Sequence, residues 1–81
     1  MKKLPHVYTD KAVWVRGTPQ PGRDPAWSMV RKEHITHLVK DTYREEDIYD
    51  FYVHFTSGHV MLVDGLASKL TIQDLWTWLN T

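Results

Sequence analysis

One stretch, Tyr49 to Asn80, restricts the possible folds more than anything else in the chain: it reads as strand, glycine turn, strand and capped amphipathic helix. Tyr49-Asp50-Phe51-Tyr52-Val53-His54-Phe55 alternates with the period of two that marks a half-buried strand. Thr56-Ser57-Gly58-His59 supplies a turn, and Val60-Met61-Leu62-Val63 returns as the partner strand. With Ser57 and Gly58 as a two-residue turn, Phe55 faces Val60 and Val53 faces Leu62. Phe51, Val53, Phe55, Val60 and Leu62 then share the core face, leaving Tyr52, His54, Met61 and Val63 on the other. Register decides this assignment, because a one-residue slip exchanges the two faces of a strand.

The helix that follows carries its own punctuation. Thr71 stands at the cap position, and Asp74, three residues on, can return to the cap backbone; Leu70 and Leu75 flank the pair as a hydrophobic staple. Asp74 also suits the positive end of the helix dipole. Ile72, Leu75, Trp76 and Leu79 form one apolar stripe at helical spacing, directed at the sheet, with Trp78 off the stripe and pointing toward an edge or a partner.

Upstream, Ala12-Val13-Trp14-Val15-Arg16 is β-branched and aromatic enough for a strand, and Gly17 ends it. Residues 17–25 contain three prolines and two glycines and read as a loop. Trp27 to Arg31 resumes an extended pattern. From Glu33 to Tyr43 the β-branched content favours strand over helix, with Ile35, His37 and Val39 on one face and His34, Thr36 and Leu38 on the other. Arg44-Glu45-Glu46-Asp47 is a charged turn.

These segments combine into a single α+β domain over residues 1–81: a small antiparallel sheet of about three to five strands packed against one C-terminal helix, Ile72 to Leu79. The expected core is Val13, Ile35, Phe51, Val53, Phe55, Val60, Leu62, Leu75, Trp76 and Leu79. A chain of this length buries only about 60–65% of its unfolded surface, so it is expected to be modestly stable. The layout resembles that of small bacterial and phage accessory proteins, a likeness of element order with no motif attached.

Composition narrows the function. There is no cysteine, hence no disulfide and no thiolate nucleophile or ligand. Met1-Lys2-Lys3-Leu4-Pro5-His6 begins like the charged region of a signal peptide, but Asp10 and Lys11 stand where an apolar run would follow. The reading is a cytoplasmic protein with no membrane contact. Ten basic residues balance ten acidic ones, which argues against a generic nucleic-acid binder.

Catalytic patterns are weak. Glu45, Glu46 and Asp47 sit in a solvated turn, Asp64 before Gly65 suits a turn of its own backbone, and Ser57-Gly58-His59 lacks the strand-turn-helix context of a nucleophile elbow. No phosphate-binding glycine loop is present. His34 and His37 have H-x-x-H spacing, and His54 and His59 lie near one another across the hairpin, but strand geometry turns residues three apart to opposite faces. The chain therefore reads as a non-enzymatic module with no cofactor and no metal. Its partner is another protein or its own copy, contacted by Tyr52, His54, Met61 and Trp78. The alternative is nucleic acid held on Trp14, Arg16, Arg23, Trp27, Arg31 and Lys32, with bases stacked on the rings and cations on phosphates.

Overall fold

Three residues, Lys32–His34 in a single 3-10 turn, join the two edge strands of a five-stranded antiparallel sheet, and that short link sets its shape. The computed structural model of the chain describes residues 9, 11–18 and 24–81. Within them lie β1 (Ala12–Thr18), β2 (Ala26–Arg31), β3 (Ile35–Glu45), β4 (Ile48–Phe55), β5 (Val60–Val63), α1 (Gly65–Ser68) and α2 (Ile72–Leu79). The strand order is β2-β1-β5-β4-β3. Laid flat, five strands put their edges roughly 19 Å apart. The four steps from Arg31 to Ile35 reach at most about 14 Å even when extended. The sheet must therefore coil, bringing the end of β2 toward the start of β3. A bond from the Thr56 amide to the His34 carbonyl, 2.8 Å, ties the β4–β5 turn to the same place.

The α+β class and the C-terminal helix agree with the sequence reading, but the β4–β5 register does not. Val53 pairs with Met61 and His54 with Val60, one residue away from the two-residue-turn alignment. The cause is the loop. Gly58 donates its amide to the Phe55 carbonyl and Phe55 donates to the His59 carbonyl, each at 2.9 Å, so Thr56, Ser57 and Gly58 form a three-residue connection. Gly58 takes φ +92°, a conformation that side chains disfavour. The extra residue exchanges the faces of β5. Met61 and Val63 are buried, Val60 is exposed, and Leu62 is half-buried on the far side.

A β-bulge makes a second correction, in β3. Ile35 pairs with Phe55 and His37 with His54, so Thr36 is the surplus residue on β3. Ile35 and Leu38 consequently share the core side, where both pack against buried residues, while His37 and Val39 go to the other side. The charged turn is shorter than expected: β3 runs through Arg44 to Glu45 and only Glu46 and Asp47 turn the chain.

In α2 the capping box forms as expected: Thr71 Oγ1 accepts from the Asp74 amide at 2.9 Å and Asp74 Oδ2 accepts from the Thr71 amide at 3.3 Å. Leu70 and Leu75 on either side are fully buried. The buried stripe is rotated, however. Leu75 and Trp78 are buried, Ile72 and Leu79 pack partly, and Trp76 is 52% exposed. The Trp78 indole N–H donates to the Thr9 carbonyl at 2.7 Å, a partner that only Trp78 reaches. Val13, Val15, Val30, Phe51, Val53, Met61, Val63, Leu70, Leu75 and Trp78 make up the core, all on the side of the sheet that α2 covers.

Between the sheet and α2, Asp64 caps the short α1 by accepting from the Ala67 amide at 3.0 Å. Helix α1 packs against β1 and β4 where the four-residue β5 has run out. Gly17 marks the place where β1 and β5 still touch: a Cβ there would collide with the Leu62 carbonyl oxygen.

Candidate functional site

Among the described residues, the sheet has one face under α2 and one that no helix covers. Alternation along each strand places the second set of side chains opposite the core. On β1 and β2, Trp14 pairs with Met29 and Arg16 with Trp27. On β5 and β4, Thr18 of β1 neighbours Leu62, Leu62 pairs with Tyr52, and Val60 pairs with His54. On β3, Val39 pairs with Tyr52 and His37 with His54. The helix-free face thus carries apolar side chains on all five strands, with Arg16, Thr18, His37 and His54 interspersed between them. Trp14 is 40% exposed, Trp27 46%, Met29 54%, Val39 43% and Val60 36%, so the largest apolar groups there all meet solvent. Two-layer packing normally covers both the sheet face and the helix stripe, and large exposed apolar patches mark interaction sites.

The residues predicted as a protein contact divide between the two faces. Tyr52 and His54 lie on the helix-free face, both half-buried. Met61 and Trp78 do not: the longer turn carries Met61 into the core, and the bond to Thr9 draws Trp78 under the sheet. The alternative set divides as well. Trp14, Arg16 and Trp27 are neighbours on the helix-free face. Arg31 follows them along β2, with its Nε donating to Glu33 at 3.2 Å. Lys32 turns away, its ammonium 4.9 Å from the centre of the Trp78 ring and bonded to Thr81 Oγ1 at 3.4 Å. Arg23 lies outside the described residues.

Sequence reasoning missed Met29, Val39 and Leu62 as members of this face. The signal was present in β1 and β2: once Val13, Val15 and Val30 are inward, antiparallel pairing forces Trp14, Trp27 and Met29 outward together.

The histidines rearrange. His54 stacks on His37, ring centres 4.2 Å apart and planes 14° from parallel, whereas His59 lies over Phe55. Thr36 Oγ1 bridges to both members of the stacked pair, donating to the His54 carbonyl at 3.0 Å and lying 3.1 Å from His37 Nδ1. His34 is in the 3-10 turn, 3.7 Å from Glu33. Among the described residues no three His, Asp or Glu side chains converge.

A second concavity opens on the core side, between β2 and the β4–β5 turn. It is a cleft of about 430 Å³ with Ser28, Val30, His34, Phe55, His59 and Met61 in its walls. The acidic candidates are structural or solvated. Asp64 caps α1, and Glu45, Glu46 and Asp47 are exposed at the β3–β4 turn. Ser57 Oγ accepts from the His59 amide at 3.3 Å within the turn. No helix among the described residues is long and apolar enough to cross a membrane.

Comparison with protein-family models, curated proteins and solved structures finds no match to this chain.

Proposed function

We propose that the chain is a non-enzymatic binding module that uses the helix-free face of its sheet to dock on a protein surface, either a partner's or its own copy's. One observation carries the reading: Trp14, Trp27, Met29, Val39 and Val60 are exposed together on a face that no helix among the described residues covers. Tyr52 and His54 extend the surface at its centre. Aromatic residues and methionine are the side chains that interfaces favour, because they bring large contact area at small entropic cost. The absence of cysteine is compatible with a cytoplasmic setting.

Nucleic acid is the second reading, and one specific observation favours it: Trp14 and Trp27 are exposed with Arg16 beside them. Stacked bases gain about 1–3 kcal/mol each on such rings. The described cations weigh against it. Among the described residues of the predicted basic set, Arg16 and Arg31 share this face, and Arg31 is paired with Glu33. Two neutralised phosphates give a slope of log affinity against log salt of only about −1.4, far less than a dedicated single-strand binder shows.

Size-exclusion chromatography with light scattering, with absorbance at 260 and 280 nm read on the same peak, tests both. A dimer free of nucleic acid supports self-docking. A monomer assigns the face to a foreign protein. A raised 260 nm signal that disappears at high salt transfers the face to nucleic acid and removes the protein reading.

A further inference from the structure

The β-bulge in β3 does more than reset the register, because it fixes the protonation pattern of a histidine. Thr36 Oγ1 has one proton, which it donates to the His54 carbonyl at 3.0 Å. Its 3.1 Å contact with His37 Nδ1 must therefore run the other way, with Nδ1–H donating to the hydroxyl oxygen. A neutral imidazole has one N–H, so the lone pair of His37 stands on Nε2. Metal-liganding histidines are typically held in this way, one nitrogen tied down by a hydrogen bond and the other presented.

The second ring is already in place. His54 is the cross-strand partner of His37, its ring stacked at 4.2 Å, and that ring makes no hydrogen bond to any of the described residues. Two imidazole nitrogens on one tetrahedral ion at about 2.05 Å stand about 3.4 Å apart. The ring centres stand 4.2 Å apart, so the two imidazoles are near enough to share one ion once the rings splay. In the stack the planes are 14° from parallel and the in-plane lone pairs do not converge; binding therefore turns the His54 ring, which has no hydrogen bond to the described residues, while His37 keeps its contact with Thr36. His37 is exposed, so water can fill the other coordination positions.

We propose that His37 and His54 form a two-imidazole site for a divalent transition metal ion of the zinc, nickel or copper type, with Thr36 as the positioning residue that presents His37 Nε2. Among the described residues no carboxylate joins the two rings, so the donor set favours these ions over magnesium or calcium, which prefer oxygen. The site lies within the helix-free face, but the inference does not rest on the docking reading.

The test is titration of the full chain with zinc chloride, followed by NMR of the histidine ring nitrogens and by calorimetry. The expected result is a shift of the His37 and His54 ring signals that saturates at one equivalent. His37→Ala and His54→Ala each weaken binding by at least about tenfold, and Thr36→Val by about tenfold, the lower end of the loss seen when a liganding histidine loses its hydrogen-bond partner. His34→Ala and His59→Ala leave binding unchanged. The ring signals of the wild-type chain decide the matter even where a variant folds poorly. Signals from His37 and His54 that do not move with zinc overturn the proposal. So does saturable binding that survives in both alanine variants.

Discussion

A single hydroxyl on Ser68 meets both backbone groups of Arg16: it accepts from the Arg16 amide at 2.8 Å and donates at 3.1 Å to the Arg16 carbonyl, which also accepts from the Asp64 amide at 2.9 Å. For the Arg16 amide, Ser68 takes the place of a neighbouring strand. Strand β5 has only four residues, and by Arg16 the chain has already turned into α1. Ser68 is completely buried, so water cannot take its place. Ser68→Ala leaves the part-buried Arg16 N–H without this partner, at a cost of about 1–2 kcal/mol. Urea unfolding followed by circular dichroism should show a lower midpoint with an unchanged slope.

The register of the β4–β5 hairpin gives a paired prediction. Met61 points into the core and Val60 away from it. Met61→Ala should cost about 2–4 kcal/mol through the cavity it leaves. Val60→Thr, on the exposed face, should stay within about 0.5 kcal/mol. Were the two-residue-turn register correct, the order of the two effects would be reversed, so the pair measured together by chemical denaturation checks the alignment itself.

How far the sequence reveals this fold depends on how local each signal is. The Thr71–Asp74 box is legible because cap and partner are three residues apart and need nothing else. The strands of the hairpin are equally plain from their alternation. Their register is not: it turns on whether Ser57-Gly58 or Thr56-Ser57-Gly58 makes the connection, and both are compatible with glycine at position 58. The bulge at Thr36 is likewise invisible to a period of two, since it is seen only against β4. The residues read as a protein contact therefore fall on both faces of the sheet: Tyr52 and His54 stand outward, while Met61 lies in the core.

Trp76 and Trp78 show the same limit within a helix. In an eight-residue helix, both residues lie close enough to the Ile72–Leu75–Leu79 stripe to complete it. The Thr9 carbonyl, 69 positions earlier, selects Trp78. Trp78→Ala should therefore cost about 3–5 kcal/mol, whereas Trp76→Ala should change stability by less than about 0.5 kcal/mol. Trp78→Phe separates the two contributions: it keeps most of the buried area and loses the 2.7 Å bond, and the orphaned indole partner should account for about 1 kcal/mol. Thermal melts of the three variants order them directly.

The outer face makes the last prediction, and it must distinguish a docking surface from a merely apolar one. Trp14 and Met29 are cross-strand partners, both exposed, and neither belongs to the core. Replacing both with serine removes part of the exposed patch without opening a cavity. Some loss of stability follows, because cross-strand pairs contribute about 0.2–1 kcal/mol and serine is the poorer strand former. Association is a different matter: truncating a central anchor commonly costs 2 kcal/mol or more, about thirtyfold in affinity. The double variant should therefore unfold within about 1–2 kcal/mol of the parent yet lose any dimer or complex seen by light scattering. Association of unchanged strength in this folded variant would mean that the helix-free face is not where the protein docks.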